Sequence, residues 1–225
     1  MGSERQRIEP SDETDRVDRP NNSTGFDQWA ATYDRTVSAW EQFPLLGYKQ
    51  VLSAIFCIAS VSPGMFVLDL GTGTGNLARL FLEADCAVWA TDFSQRMLDK
   101  AREKLPNLRT ALADLCDPLP SGFPERYDRI VSSYAFHHLV LDEKISLVQD
   151  LVRDRLAPSG AIVIGDVSFE RAPDRDDARK RFADLWDPEE YYWAADEFAG
   201  RLAPPLHCTY KQVSFCGGLY TIRPA

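Results

Sequence analysis

Three glycines that alternate with threonines constrain the fold of this chain more than any other feature: Gly71, Gly73 and Gly75, within VLDLGTGTGNLARL at residues 67–80. A short apolar run containing Asp69 precedes the glycines, and apolar residues at helical spacing follow them. Glycine lets a backbone approach a ligand closely and adopt positive φ without steric cost. The free amides at the start of a helix favour a carboxylate or a phosphate. The segment therefore predicts a strand, a ligand-binding turn and a helix.

Strand-like and helix-like segments alternate through the middle of the chain. The predicted strands are residues 66–70, 87–91, 108–113, 127–133 and 161–167, and the predicted helices are residues 76–83, 94–104 and 142–156. Near the C-terminus, LHCTYKQV and GLYTIR predict two strands around a short turn, an antiparallel hairpin. This alternation predicts an α/β fold, in which helices cover both faces of a mainly parallel sheet.

The N-terminal part of the chain differs in composition from the rest. Residues 1–25 contain no aromatic residue and are dense in Asp, Glu and Arg, which predicts a disordered tail. Residues 26–225 are predicted to form a single domain. Within it, residues 26–61 predict two helices, which begin at Phe26 and Pro44 and form a lid.

Composition narrows the class of partners. The net charge of −9 argues against nucleic acid, whose binding proteins usually present a basic face. Five scattered cysteines without a Cys-x-x-Cys pair predict a reduced, cytoplasmic protein without a metal site. The longest apolar run, residues 52–61, is too short to span a bilayer, so no membrane partner is expected. Aromatic residues near the N-terminal helices are compatible with a homodimer.

The acids around the glycine turn indicate the ligand. The turn has Gly-x-Gly-x-Gly spacing, with Asn76 after it, whereas dinucleotide sites have Gly-x-Gly-x-x-Gly. Asp69 would repel a pyrophosphate and attract an ammonium, so the ligand carries both an amine and a carboxylate. Asp92, about 20 residues further on, is placed to accept the hydroxyls of a ribose. An amino acid joined to a ribose suggests S-adenosylmethionine. Asp114 could bind the amine of its adenine, and Leu115 would lie on the face of the adenine ring.

These residues resemble the class I S-adenosylmethionine-dependent methyltransferases. The resemblance rests on DLGTGTG at residues 69–75, on Asp92-Phe-Ser-x-x-Met-Leu and on Asp114, and FDQWAATYD, SSYAFHHL and LAPSGAIVIGD extend it. It is greatest to small-molecule enzymes of the ubiquinone/menaquinone-biosynthesis-like type, and among them to a bacterial YrrT-like branch. The resemblance implies a Rossmann-like sheet of seven strands, the last two forming a hairpin, and a small-molecule acceptor.

The resemblance also implies roles for individual residues. The three glycines would pass the methionine part of S-adenosylmethionine, Asp69 would lie near its amino group, and Asp92 would bind the ribose. Asp114 would bind the adenine amine, Tyr33 would close over the sulfonium, and residues 132–136 would line the methionine side. The other implied cofactor-binding residues, of which Phe93 and Met97 would flank the adenine, are Trp29, Thr72, Asn76, Phe93, Met97, Ala113, Leu115, Ser132, Tyr134 and Ala135.

Two adjacent histidines follow the fourth predicted strand. His137 or His138 could take a proton from an acceptor, because the unperturbed pKa of histidine is about 6.5. Neighbouring side chains usually point apart, so at most one of them is expected to face the site. Packing or bonding to residues behind the site is the alternative role. Tyr33 is the third candidate catalytic residue.

Residues 168–205 are predicted to form a helical cover over the acceptor pocket. Within this stretch, DPEE at residues 187–190 reads as a helix start, with an acid cap and a proline in the first turn. An aromatic cluster lies within the same stretch and fits either an apolar acceptor pocket or core packing: Trp186, Tyr191, Tyr192, Trp193 and Phe198.

Three other functions are considered. A nucleic-acid methyltransferase is disfavoured by the acidic net charge and by SSYAFHH, which replaces the Asn/Asp-Pro-Pro-Tyr/Phe motif of amino-directed DNA enzymes. A non-catalytic S-adenosylmethionine-binding protein would share the cofactor residues. An NAD-dependent oxidoreductase is disfavoured by the glycine spacing.

Overall fold

The computed structural model describes residues 23–225 and has one large twisted sheet. Its strands are β1 (Phe66–Leu70), β2 (Ala87–Asp92), β3 (Arg109–Leu112), β4 (Tyr127–Ser133), β5 (Leu156–Phe169), β6 (Trp193–Ala194), β7 (Leu206–Gln212) and β8 (Gly217–Pro224). The order is β3-β2-β1-β4-β5-β8-β7, and the short β6 pairs with β5. β8 runs antiparallel to β5 and β7, whereas the other pairs are parallel. The predicted Rossmann-like α/β fold and its C-terminal hairpin are confirmed.

Helices cover both faces of this sheet. They are α1 (Ser23–Trp29), α2 (Tyr33–Ala39), α3 (Tyr48–Ala59), α4 (Asn76–Glu83), α5 (Gln95–Lys104), α6 (Leu141–Asp154), α7 (Ala172–Arg181) and α8 (Ala195–Ala199). One buried cluster includes Val51 of α3 and Phe81 of α4. The other includes Val148 of α6, with Trp193 and Tyr220. Within the described residues, every helix is too short or too polar to cross a bilayer.

The parallel register brings the predicted ligand-binding acids to one edge of the sheet. Asp69 of β1 pairs with Ala90 of β2, two residues before Asp92. Leu70 pairs with Ser132 of β4, so β1, β2 and β4 all end at this edge. The loops that follow these strands therefore meet, as in other open α/β sheets.

The N-terminal segment differs in part from its prediction. Of the predicted tail, residues 1–22 lie outside the described residues, and residues 23–25 begin α1. The second helix begins at Tyr48 instead of Pro44, because Gly47 has φ of 86° and ends a turn. A Cβ at Gly47 would lie 2.6 Å from the Ser214 Cβ, so the turn packs closely against the hairpin. α3 then packs on β5 and β8, while α1 contacts α5. The extent of the lid stays a prediction.

The predicted helix start at DPEE is wrong. The Asp187 carboxylate accepts the amide of Glu189 at 2.9 Å, which closes a local turn. Glu190 is buried and accepts the hydroxyl of Tyr192, so its side chain faces inward instead of lining the first turn of a helix. The helices of this region are α7 and α8. Because Glu190 is buried, the segment forms a turn instead of the helix start that its capping residues predict.

Candidate functional site

A cavity of about 200 Å³ opens at the carboxyl ends of β1, β2 and β4. We call it the donor cavity. The predicted site residues that line it are Tyr33, Gly71, Gly73, Asp92, Phe93, Met97, Ala113, Asp114, Leu115, Tyr134, Ala135 and His138. Three further lining residues are Phe26, Ser133 and Leu139. Phe26 and Leu139 were absent from the sequence prediction. The helical spacing of Phe26 from Trp29 and Tyr33 does, however, indicate that these three residues share a face.

The glycine turn forms one wall of the donor cavity. Gly71 and Gly73 have φ of 68° and 55°, a backbone conformation that side chains other than glycine rarely adopt. A Cβ on Gly71 would lie 2.5 Å from the Ala135 Cβ. The turn therefore needs glycine at position 71 both for its conformation and for the close approach of the loop after β4.

Several predicted cofactor residues support the turn from behind and do not line the donor cavity. Gly75 faces α5, because a Cβ there would lie 2.8 Å from the Leu105 Cδ1. The Asn76 amide donates to Asp34 at 2.9 Å, and the Thr72 hydroxyl donates to Asp69 at 2.7 Å. The Ser132 hydroxyl similarly donates to the Leu70 carbonyl at 2.7 Å. These contacts hold the turn and the ends of β1 and β4 in place.

Asp69 is completely buried behind the turn. One carboxylate oxygen accepts the Thr72 hydroxyl, and the other, Oδ1, has no hydrogen-bond partner. Burial raises the pKa of Asp69 to about 7, and the nearby charge of Asp92 adds to this effect. A buried carboxylate with an unsatisfied oxygen favours a cationic or hydrogen-bond-donating ligand nearby. This arrangement fits the amino group of S-adenosylmethionine.

Asp92 lines the donor cavity directly. Its Oδ2 accepts the Gly73 amide at 2.7 Å, and its Oδ1 accepts the Ser94 amide at 2.9 Å. Burial raises the pKa of Asp92 to about 6 against the effect of these bonds. Each carboxylate oxygen can accept a further hydrogen bond, so Asp92 can receive a diol.

Aromatic side chains close the opposite side of the donor cavity. Phe26 of α1 packs edge-on against Phe93 at 5.1 Å and against His138 at 5.5 Å between ring centroids. Asp114 is exposed, and its carboxylate accepts the amide of Cys116 at 3.1 Å. Apolar walls with one acid at the rim suit a planar, polar-edged ring such as adenine.

The two adjacent histidines have different surroundings. His138 lines the donor cavity, and burial lowers its pKa to about 2. His137 faces two acids: its Nδ1 lies 2.6 Å from Asp166 Oδ1, and its Nε2 lies 3.7 Å from Glu190 Oε1. Burial opposes protonation of His137, but these two carboxylates outweigh burial and raise its pKa. Of the two histidines, His137 is therefore the one whose surroundings favour taking up a proton.

A smaller cavity of about 30 Å³ lies beside His137, and we call it the inner cavity. It shares Phe26, Tyr33 and Tyr134 with the donor cavity. Its other lining residues are Trp29, Pro44, Leu45, His137, Val167 and Glu190. The two cavities therefore adjoin at these three aromatic side chains.

A fully buried lysine fixes the position of the loop after β4 that carries His137 and His138, which we call the histidine loop. Lys144 of α6 donates to the carbonyls of Leu139 and Tyr191, the latter at 3.0 Å. The Tyr191 amide in turn donates to the His137 carbonyl at 2.7 Å. These bonds join the histidine loop to the segment that carries Glu190.

Comparison with known proteins agrees with this arrangement. Residues 67–160 match the family described as Methyltransferase domain. A structure of a DhpI–SAM–HEP complex superposes with a TM-score of 0.66 at 22% identity, over 89% of this chain and 95% of that chain, which shows a shared fold.

Two bacterial proteins are similar over most of their length. The uncharacterized methyltransferase GK2543 of Geobacillus kaustophilus is 38% identical over 190 residues, which are 77% of this chain and 83% of that protein. The uncharacterized methyltransferase YrrT of Bacillus subtilis is 38% identical over 153 residues, 65% of this chain and 68% of that protein. Together with the glycine turn and Asp92 at the donor cavity, this similarity shows that the chain belongs to the S-adenosylmethionine-dependent methyltransferases.

Proposed function

We propose that this enzyme methylates a small-molecule acceptor whose reacting group enters the inner cavity. The observation that carries the proposal is the pair of adjoining cavities. The inner cavity is small and walled mainly by aromatic and apolar side chains, and it meets the donor cavity at three shared residues. Among the described residues, no lysine or arginine lines either cavity, whereas nucleic-acid sites need such cations against phosphates.

The residues of the donor cavity fit S-adenosylmethionine. Asp92 would hold the ribose, Asp69 would lie towards the amino group, and the Gly71–Gly73 turn would pass the methionine part. When bound, S-adenosylmethionine supplies an electrophilic methyl group on a positively charged sulfur. The protein's own contribution is to orient the acceptor and exclude water, and orientation of this kind contributes about 7–11 kcal/mol. We also propose a cytoplasmic location, for which the support is the scattered, unpaired cysteines.

Radiolabel transfer tests the acceptor class. The purified enzyme is incubated with methyl-labelled S-adenosylmethionine and, in separate reactions, with a small-metabolite extract, total RNA and genomic DNA. We expect label in the metabolite fraction alone. Label that enters RNA or DNA, with none in the metabolite fraction, would overturn the small-molecule proposal.

The pH dependence of cofactor-product binding follows from the two buried acids. Asp69 and Asp92 have pKa values of about 7 and about 6, and both must be ionised to receive an ammonium and a diol. We therefore expect S-adenosylhomocysteine to bind about 100-fold more weakly at pH 5.5 than at pH 8. Isothermal titration calorimetry at both pH values measures this change. Equal or tighter binding at pH 5.5 would contradict the expectation.

The same two acids affect the stability of the ligand-free protein in the opposite direction. Their pKa values are raised in the folded state. Between about pH 4 and pH 7 the folded protein therefore keeps protons that the unfolded chain has already released. Their contribution to the free energy of unfolding is present below pH 4 and is lost as the pH rises through 6 and 7. Thermal stabilisation by S-adenosylhomocysteine should consequently grow across this interval.

A further inference from the structure

Two acid–base side chains, His137 and Glu190, line the inner cavity. Glu190 and His137 are only 8% and 7% exposed, and the remaining walls are largely aromatic. The 3.7 Å between His137 Nε2 and Glu190 Oε1 is too long for a direct hydrogen bond. One donor atom placed between them could bond to both.

The neighbours of His137 determine which of its nitrogens carries a proton. Asp166 Oδ1 accepts the Val167 amide at 2.7 Å and lies 2.6 Å from His137 Nδ1. Nδ1 is therefore the nitrogen that donates, and Nε2 is left as an acceptor when the ring is neutral. Glu190 accepts the Tyr192 hydroxyl, which fixes its carboxylate beside the cavity.

We propose, on the basis of the proposed function, that the inner cavity binds a primary amine of the acceptor between His137 Nε2 and Glu190 Oε1. A primary amine has enough N–H groups for both acceptors, whereas a hydroxyl or thiol has a single hydrogen to donate. A carboxylate or phosphate has none and would be repelled by Glu190 and Asp166. Phe26, Trp29 and Tyr33 also line the inner cavity, and aromatic rings favour a cation over an anion.

Proton transfer in this arrangement needs no further reactant. The bound ammonium loses one proton to His137 Nε2: the N–H bond breaks, its electron pair stays on the amine nitrogen, and an Nε2–H bond forms. The charged or titratable groups around His137 are Asp166, Glu190, Lys144, His138 and Tyr192. Among the described residues, Glu190 is the one shared by the linings of the inner cavity and of an exposed groove with Arg175 and Arg179. The proton can therefore leave for solvent past Glu190.

Ligand-observed NMR titration with matched three-carbon probes tests this proposal. Propylamine, propanol and propionate are titrated separately into the protein saturated with S-adenosylhomocysteine. We expect propylamine to bind about tenfold more tightly than propanol, and propionate to show no binding. Glu190→Gln keeps the size of the side chain and removes its charge, and it should abolish the preference for propylamine. Glu189→Gln, at the exposed neighbouring acid, is the matched control and should retain it.

Three outcomes would overturn the proposal: tighter binding of propanol or propionate, an unchanged preference in Glu190→Gln, or no binding of any probe at its highest soluble concentration. Binding of S-adenosylhomocysteine is measured separately for each variant. If it is normal while the amine preference is missing, the amine proposal fails and the proposed function stands. If the wild-type protein itself does not bind S-adenosylhomocysteine, the proposed function fails.

Discussion

Replacing Asp92 with alanine will weaken the binding of S-adenosylhomocysteine by about 100-fold or more. A hydrogen bond to a charged group contributes about 1.5–3 kcal/mol, and we expect the variant to lose two such bonds to the ribose hydroxyls. A loss of about 3 kcal/mol corresponds to a factor of about 100 in the dissociation constant. Calorimetry at pH 8, where Asp92 is ionised in the wild type, measures the change.

Asp92 also accepts the amides of Gly73 and Ser94, so its removal could loosen the turn and the start of α5. Asp92→Asn separates the loss of charge from such loosening, because it keeps the shape and one acceptor oxygen of the side chain while removing the charge. Asp99→Ala, an exposed acid on α5, is the control and should bind like the wild type. Binding by Asp92→Ala within about threefold of wild type would show that this acid serves only to hold the glycine turn and the start of α5.

Replacing His137 with glutamine will lower the turnover number by about 10²–10⁴-fold, the range that a positioned general base contributes. His137 is the histidine that lines the inner cavity, and Asp166 and Glu190 raise its pKa. Turnover by the wild type should rise with pH through that pKa, because the base acts in its neutral form. The rate of methyl transfer from labelled S-adenosylmethionine to the acceptor found by radiolabel transfer, measured across pH for both proteins, gives both results.

The matched control for this variant is His207→Gln, at an exposed position on the edge strand β7. It should keep the turnover and the pH profile of the wild type. His137→Gln should still bind S-adenosylhomocysteine, which separates loss of the base from loss of the donor site. Unchanged turnover and an unchanged pH profile in His137→Gln would remove proton transfer by this residue from the mechanism.

The sequence predicted the sheet well because each strand end carries a local signal. The glycines of the turn, the acid at the end of β2 and the capping Ser94 act through their own backbone neighbours, and the Ser94 hydroxyl does accept the Met97 amide. Parallel pairing then brings separate strand ends together without further information. This is why Asp92 and Gly71 could be placed together from spacing, whereas the family resemblance was needed to place Phe93 beside them.

The remaining differences come from tertiary contacts that no local pattern contains. Glu190 reads as a first-turn acid, yet burial beside Tyr192 and His137 places it in the inner cavity. Asn76 follows the turn and was predicted to bind the cofactor, but it bonds to Asp34 of α2, which lies 42 residues earlier. The distinction between His137 and His138 likewise depends on Asp166, 29 residues beyond His137.

Calorimetric titration of the wild-type protein with S-adenosylhomocysteine and, separately, with NAD tests the central claim most directly. The acids at the ends of β1 and β2 and the glycine turn are expected to select an adenosyl amino acid over a dinucleotide. We predict saturable heat for S-adenosylhomocysteine, with one site per chain, and none for NAD. Saturable binding of NAD with no heat from S-adenosylhomocysteine would contradict the account.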